Sequence, residues 1–375
     1  MSEIRVDSIG NESNTGGPVL SGITTFSGQQ YFIPPKGTTA ERPSDCPPGS
    51  IRFNTDSAHL EYWNGLVWLE FEASSEELGD NNNTNSTGGT GTRGVFAAGQ
   101  TPTLQDTIDY ITISTLGDAQ DFGNLTVARG NVPASFASRT RGLWGGGTTP
   151  SQTDTIDFVT FSSTGDATDF GNLSVARSGM GGLSSSTRGL FCGSADPTTN
   201  TIDYVTIAST GNAVDFGDLN NTARYNQTCA SSTRGIIAGG RTPTTLNVID
   251  YVTISTTGNA NDFGDIQTAS DLNSGCSNST RGLLVTNANS NSQIDFITIA
   301  TLGNSQTFGD RTVSADYNSA CASATRGVFG GGHTPSVIDV IDFVTIATIS
   351  DATDFGDLTV ARLAGAACSN GHGGL

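Results

Sequence analysis

The sequence predicts an all-β protein, most of which is a six-bladed β-propeller closed by its C-terminal strand. The triplet Thr-Arg-Gly recurs every 45 to 48 residues, and each copy is followed by short strand-like segments, as in a propeller blade. The chain is also rich in Gly, 48 of 375 residues, and in β-branched residues, which favours strands over helices. The six triplets begin at Thr92, Thr140, Thr187, Thr233, Thr280 and Thr325.

The first 74 residues carry no such triplet and predict a small β-meander. Asn64-Gly65 predicts a two-residue hairpin turn within it, because both residues tolerate positive φ. So short a region does not bury a full core by itself, which favours oligomerisation or docking onto a partner. Residues 75–91 are polar and Gly-rich and predict a linker, and residues 92–375 make up the propeller.

Each repeat predicts four strands, which we name A to D. Strand A precedes the triplet, strand B is the small or apolar run after it, strand C contains Ile-Asp-aromatic, and strand D contains Phe-Gly. Residues 366–370 form a strand A with no strand B after it, whereas the first repeat starts directly with strand B at Gly94. We therefore expect the C-terminal strand to complete the first repeat, which removes the exposed edges of an open array.

Four of the six cysteines occupy one position in strand A, where two other repeats have an apolar residue. The position is held by Cys229, Cys276, Cys321 and Cys368, and by Phe136 and Leu183. This pattern predicts small buried filler in a tight inner strand. Disulfides between blades or between molecules are the chemical alternative.

The repeat resembles the kelch repeat over Thr92–Leu375. The residues that carry the resemblance are the double glycine Gly239-Gly240 after strand B, Tyr251 in strand C, Phe263 in strand D and the lead Ala176-Arg177. The strand D aromatic is Phe rather than the family's usual Trp, and one repeat lacks the double glycine. The resemblance implies a propeller that closes with a C-terminal strand A.

The N-terminal region is similar to the corresponding part of virion structural proteins and tail fibres of tailed phages, marine cyanophages among them. The similarity lies in PGSIRFNTDS, LEYWNG and the opening IRVDSI with GPVLSGITTFSGQQYFIPPKGTTAERP. It implies anchoring to the particle through other virion proteins, on the virion exterior, as a homo-oligomer with a trimer favoured. The expected function is a phage virion structural protein, a tail fibre or appendage whose propeller contacts a host surface glycan or protein. A capsid decoration or cement protein and a glycan-degrading hydrolase are the alternatives.

Charge and composition argue against other classes. There are 17 basic and 36 acidic residues, a net charge of −19, which disfavours nucleic-acid binding. No apolar run is long enough for membrane insertion. The three histidines, His59, His333 and His372, have neither metal-ligand nor nucleophile–base spacing, so we expect no enzyme, cofactor or metal.

The loops between strands B and C vary most among the repeats and are the candidate partner-binding surface. The candidate residues are Thr101, Pro102, Thr149, Pro150, Pro197, Arg241, Pro243, His333 and Pro335.

The turn between strands C and D carries a repeated acidic pattern, as in Asp118, Asp121 and Asn124. Oxygen ligands at this spacing suit calcium, although such residues more often bond their own backbone. Strand direction places these turns on the same face as the triplet arginines, so we predict local Arg–carboxylate pairs, with an anion-binding ring as the alternative. These arginines are Arg93, Arg141, Arg188, Arg234, Arg281 and Arg326.

Overall fold

The computed structural model describes residues 34–57, 59–70, 92–131, 133–286 and 293–375. The chain divides into two compact units, Met1–Leu78 and Gly79–Leu375. The predicted linker, residues 75–91, and the opening residues 1–33 lie outside the described ranges. The described chain is all-β, as predicted, and none of its helical segments is long and apolar enough to cross a membrane.

The described part of the first unit is a four-stranded sheet. It contains β1 (Lys36–Gly37), the 3-10 turn η1 (Thr39–Glu41), β2 (Ile51–Asn54), β3 (His59–Trp63) and β4 (Trp68–Glu70). Strands β2, β3 and β4 form the predicted antiparallel meander, and β1 adds in parallel to β2. The predicted two-residue turn is wrong: residues 64–67 connect β3 and β4, because the Asn64 side-chain oxygen accepts the backbone N–H groups of Leu66 and Val67.

The second unit contains the remaining strands. Its first half has β5 (Arg93–Ala97), β6 (Gln100–Thr101), β7 (Thr103–Thr112), β8 (Gln120–Arg129), β9 (Ala134–Ala137), β10 (Arg141–Gly145), β11 (Thr148–Thr149), β12 (Ser151–Gln152), β13 (Thr155–Thr160), β14 (Thr168–Asn172), β15 (Gly181–Ser184), β16 (Arg188–Ala195), β17 (Thr198–Thr206) and β18 (Val214–Asp218). Its second half has β19 (Gln227–Ala230), β20 (Arg234–Ala238), β21 (Val248–Thr253), β22 (Asn261–Asp265), β23 (Gly275–Ser277), β24 (Arg281–Thr286), β25 (Gln293–Thr298), β26 (Gln306–Asp310), β27 (Ser319–Ala322), β28 (Arg326–His333), β29 (Val337–Thr345), β30 (Thr353–Asp357) and β31 (Ala366–Ser369).

These strands build repeat sheets, named I to VI, in which strands A, B, C and D pair in that order. In the order A to D they are β31-β5-β7-β8, β9-β10-β13-β14, β15-β16-β17-β18, β19-β20-β21-β22, β23-β24-β25-β26 and β27-β28-β29-β30. Each neighbouring pair is antiparallel. Short β6 pairs with β7, and β11 and β12 form a separate hairpin.

The C-terminal strand pairs with the first strand B, as the sequence predicts. In sheet I, Ala366 lies opposite Ala97 and Ser369 opposite Gly94. Strand A of each sheet also contacts strand A of the next sheet, from β31 through β9, β15, β19, β23 and β27 and back to β31. Each strand A therefore has two strand A neighbours.

Strand B is buried on both faces because each sheet packs between two others. In sheet I, Val95, Phe96 and Ala97 are all buried, but they belong to two different apolar clusters on opposite sides of the sheet. Continuous apolar runs, rather than strict alternation, are what such doubly covered strands require.

The strand A cysteines are buried and form no disulfide, which confirms their interpretation as filler. Each packs against the glycine of a Thr-Arg-Gly triplet in the next sheet. A Cβ added to Gly282 would lie only 2.6 Å from Cys229 Sγ, so the triplet needs glycine to let the sheets approach. Burial raises the pKa of the Cys276 thiol to about 12, so it stays protonated and unreactive at neutral pH.

Candidate functional site

The triplet arginines do not pair with the turn acids, and that prediction is wrong. Arg234 lies 4.5 Å from the ring centroid of Tyr251 in strand C of its own sheet, and its Nη1 donates to the Ile299 carbonyl of the next sheet at 2.7 Å. The arrangement recurs around the unit because the aromatic face and a free carbonyl both lie within reach of the guanidinium. The accepting carbonyls belong to Phe161, Ile207, Ile254, Ile299, Ile346 and Ile113. These arginines therefore join neighbouring sheets, and the contacts do not support an anion-binding ring.

The acidic turns between strands C and D also join sheets. Asp166 Oδ1 accepts the backbone N–H of Asn124 from the preceding sheet at 2.9 Å, and Asn212 Oδ1 accepts that of Asn172 at 3.1 Å. Both Asp and Asn occur at this position because one side-chain oxygen is sufficient to accept the bond. Among the residues that the structure describes, no group of three His, Cys, Asp or Glu side chains is placed to hold a metal ion. The sequence analysis gave bonding of these side chains to their own backbone as the alternative to calcium. That alternative was incomplete, because Asp166 accepts a backbone N–H of the preceding sheet.

A second set of arginines occupies one position after Phe-Gly in several repeats. These arginines make buried ion pairs that the sequence analysis missed. Arg129 Nη2 lies 2.7 Å from Asp157 Oδ2, and both side chains are fully buried. The aspartate is the one in Ile-Asp-aromatic of the next sheet, and Arg177–Asp203 and Arg362–Asp109 repeat the contact. Asp342 is paired instead with Arg311, which stands four residues before the usual arginine position. Asp342 is thus paired by an arginine at a displaced position, whereas the equivalent Asp250 and Asp295 accept hydrogen bonds from Asn220 and from Ser305 instead.

The nine candidate loop residues do not form one cluster. Pro102, Pro150, Pro197, Pro243, Pro335 and His333 are exposed, whereas Thr101, Thr149 and Arg241 are half-buried. The hydrogen bonds and ion pairs of the described chain join none of the nine directly to another. Two of them, Arg241 and His333, lie beside a ring of residues from the loops between strands D and A.

This ring, which we call the rim, takes one residue from each loop between strands D and A. Its members are Asn131, Gly179, Tyr225, Leu272, Tyr317 and Ala364, all with φ between +55° and +65°. Backbone bonds link several successive members: Tyr225 N–H donates to Gly179 O at 2.8 Å and Tyr317 N–H to Leu272 O at 2.6 Å. A left-handed conformation costs about 1 kcal/mol or more for a residue with a side chain, so tyrosines here are unusual.

The two rim tyrosines form an aromatic pair. Their ring centroids lie 6.4 Å apart at an interplanar angle of 76°, and both rings are half-buried. Tyr225 Oη donates to Asn131 Oδ1 at 3.2 Å, across Gly179. Burial raises the pKa of Tyr317, so its hydroxyl is neutral. Sequence reasoning missed both, although Ala-Arg-Tyr-Asn and Ala-Asp-Tyr-Asn stand out against the other loops.

Charged side chains of both signs lie beside the rim. Arg241 Nε lies 2.9 Å from Asp271 Oδ2, and Arg224 stacks on Tyr225 at 5.6 Å. Burial raises the pKa of the Asp271 carboxyl, and Arg241 opposes that shift. Asp316 exchanges both backbone hydrogen bonds with His333.

Two cavities follow one another along the strands A. The outer one, about 60 Å³, is lined by residues that directly follow the rim, including Asn226, Asn273 and Asn318. The inner one, about 50 Å³, is lined by the strand A cysteines, Phe136, Leu183 and His372. The imidazole of His372 contacts Ala137 O at 2.9 Å and Ser184 Oγ at 3.3 Å, which places it across the far end.

Comparison with protein-family models and with curated proteins finds no match for the chain. The geometry therefore carries the functional argument. The rim, the cavity behind it and the Arg241–Asp271 pair form the candidate site.

Proposed function

We propose that sheets I to VI are the blades of a closed six-bladed, kelch-like propeller. The cyclic contacts of the strands A support this proposal, as does the C-terminal strand, which completes the first sheet. The same inter-sheet bonds recur from sheet VI to sheet I: Arg326 donates to Ile113 O at 2.8 Å, and Asp118 accepts from Asp357 N at 3.2 Å. A ring closed in this way has no open sheet face at its ends.

We infer that the chain is a non-enzymatic structural protein of a phage virion, a tail fibre or appendage. The observation that carries this inference is that the recurring residues and the varied loop residues of the repeat have different roles. The residues that recur, such as Arg234 and Asp166, are used in contacts between sheets. The loops between strands B and C differ in sequence in every repeat, and their prolines Pro102, Pro150, Pro197, Pro243 and Pro335 are exposed. A rigid scaffold with varied loops is suited to recognition.

The first unit is proposed as the attachment region. The side chains of Arg52 and Glu61 lie on one face of its sheet and are buried, with Arg42 Nη2 2.6 Å from Glu61 Oε2. The opposite face carries Ile51 and Leu69, which are 48% and 38% exposed. A sheet with a polar buried face and an exposed apolar face is suited to docking onto another protein.

The proposal is tested on purified phage particles. We expect mass spectrometry to find the chain in the particle and cryo-EM to place it on the tail. A chain lacking residues 1–74 should fold and stay out of particles, with wild-type chain supplied in the same way as the control. Incorporation of the truncated chain would overturn the attachment role, and a location on the capsid would favour a decoration protein instead.

A further inference from the structure

We propose that one face of the sheet in the first unit binds a second copy of this chain, so that the protein associates with itself through this unit. The inference rests on the proposed attachment role and names the partner of that face. The face, which we call the apolar face, comprises Ile51, Phe53, Leu60, Tyr62 and Leu69.

These five side chains are neighbours because the register of the strands aligns them. Ile51 of β2 lies opposite Tyr62 of β3, which lies opposite Leu69 of β4, and Phe53 lies opposite Leu60. Directly opposite residues project from the same side of a sheet, with Cβ atoms about 4.5–5.5 Å apart. The apolar face is therefore one continuous surface and not a set of scattered exposed residues.

The chain segment before β2 crosses the other side of the sheet. Arg42 Nη2 donates to Glu61 Oε2 at 2.6 Å, and the indole N–H of Trp68 donates to Pro43 O at 3.3 Å. Glu61 and Trp68 alternate along β3 and β4 with residues of the apolar face, so they point to the opposite side. These contacts leave the apolar face uncovered by this segment.

The apolar face is accessible to solvent. Ile51 is 48% exposed and Leu69 is 38% exposed, and Phe53, Leu60 and Tyr62 are each half-buried. Burial of apolar surface contributes about 25 cal/mol per Å², so a partner that covers these side chains is favoured. Exposed apolar residues that form one patch mark an interaction site.

The charge distribution favours a second copy over a different protein. The charged or titratable side chains of β2, β3 and β4 are Arg52, His59, Glu61 and Glu70, and the strand alternation places all four on the opposite side. Between two identical chains, residues near the symmetry axis meet their own copies, so charges there would repel. Copies with a net charge of −19 repel one another, and a face without charge minimises that repulsion. A basic partner would be matched by acidic residues on the face instead.

The composition and the size of the face set the expected affinity. Phe53 and Tyr62 are aromatic, and the cores of interfaces between identical chains are rich in aromatic residues and poor in charge. Five side chains are fewer than the about 20–30 residues per side of a standard interface. We therefore expect reversible association with a dissociation constant of about 1–100 μM.

Sedimentation velocity of the full chain over this concentration range tests the inference. Ile51→Asp should weaken association at least about tenfold, because the interface would have to desolvate a carboxylate. Ile51→Val keeps an apolar side chain and should stay within about threefold of the wild type. The matched control is Val127→Asp in β8 of the second unit, since Val127 is 47% exposed; it should leave association unchanged.

Ionic strength gives a second measurement. Salt screens the repulsion between like-charged copies, so an increase from about 0.05 to about 0.5 M sodium chloride should tighten association of the wild type at least about threefold. Weaker association at high salt would show that ion pairs hold the copies together, which contradicts an interface through the apolar face.

Near-ultraviolet circular dichroism of Trp63 and Trp68, whose ring centroids lie 5.7 Å apart, verifies that each variant keeps the fold of the first unit. A wild-type chain that stays monomeric at about 100 μM, or a folded Ile51→Asp chain that associates like the wild type, would overturn the inference. A monomeric chain that still enters particles through residues 1–74 would leave the attachment role intact. An associating chain that stays out of particles would contradict the attachment role and not the self-association.

Discussion

At the scale of single residues, Gln227 in strand A of sheet IV combines full burial with unsatisfied polarity. Its exposure is 0%, and neither polar atom of its side chain has a partner among the described residues. Other repeats have small residues there, such as Ala134 and Ala366. We expect Gln227→Met to raise the free energy of unfolding by about 1–2 kcal/mol, because the volume stays and the desolvation penalty disappears.

Urea unfolding measures this change. Gln306→Met, at an exposed position of strand D, is the control and should change the free energy of unfolding by less than about 0.5 kcal/mol. A clear loss of stability in Gln227→Met would contradict this prediction, because it would show that the Gln227 amide forms hydrogen bonds in solution.

His372 gives a pH-dependent contact. Burial lowers the pKa of its imidazole to about 4, and the neutral ring uses both nitrogens: Nε2 donates to Ala137 O, and Nδ1 accepts the Gly374 N–H at 3.1 Å. A proton on Nδ1 breaks the second bond. The folded-state pKa lies below the unfolded value of 6.5, so the contribution to stability is complete above pH 6.5 and is lost as the pH falls toward 4.

We expect a loss of about 1–2 kcal/mol over this range, a conservative figure because the ring keeps some exposed surface. NMR titration of the His372 ring and hydrogen exchange of the Gly374 amide measure it. His372→Gln should remove the pH step in exchange, and a ring that titrates near 6.5 would contradict the prediction.

At the scale of elements, the turn between strands C and D caps strand D of the preceding sheet. Asp118 Oδ1 accepts the Asp357 N–H, and equivalent repeats use Asn212, Asn259 and Asn304. We expect Asp118→Asn to be nearly neutral and Asp118→Ala to cost about 1 kcal/mol, the net value of one hydrogen bond. Chemical denaturation compares the two, with Leu116→Ala in the exposed part of the same turn as control. Equal costs for both Asp118 variants would show that charge, not the acceptor, matters.

Contact between strand A and the next strand B sets how closely the sheets approach. A Cβ at Gly189 would lie 1.9 Å from Phe136, whereas one at Gly142 would lie 3.0 Å from Cys368 Sγ. We expect Gly189→Ala to cost about 2–3 kcal/mol, more than Gly142→Ala, through overpacking. A double-mutant cycle with Phe136→Ala should recover part of the loss, since the two residues share the contact. Additive effects in that cycle would contradict the mechanism.

At the scale of the whole molecule, the cyclic contacts among the strands A depend on the C-terminal strand. Trp144 Nε1 donates to Ala366 O, and Ser135 Oγ donates to Ala367 O, so β31 also ties sheet I to sheet II. We expect deletion of residues 366–375 to abolish the single cooperative unfolding transition and to cause association through the exposed edge of β5. Calorimetry and light scattering measure both effects. Deletion of residues 371–375 alone keeps strand β31 and is the control. Loss of cooperative unfolding in this control would show that residues 371–375, rather than β31, are required for it.

The repeat, its four strands and the completion of the first sheet by residues 366–369 followed from the sequence. They depend on local patterns, such as Phe-Gly and Ile-Asp-aromatic, and on counting which strand lacks a partner. The burial of the cysteines followed in the same way, because filler in a tight inner strand needs only size and apolarity.

The partners of the polar side chains were decided by the tertiary structure. In a sequence with a fixed period, contacts within one repeat and contacts with the next repeat recur at the same spacing, so the spacing does not distinguish them. The sequence analysis therefore assigned Arg234 to an acidic turn of its own repeat, whereas its guanidinium donates to the Ile299 carbonyl of the next sheet. The rim was not predicted for a related reason: its members lie about 46 residues apart in the sequence and meet only in the folded chain, where Tyr225 N–H donates to Gly179 O and Tyr317 N–H to Leu272 O. The sequence by itself thus determined the repeating unit, while the packing of sheet against sheet decided which side chains meet, since only that packing brings residues of different repeats within bonding distance.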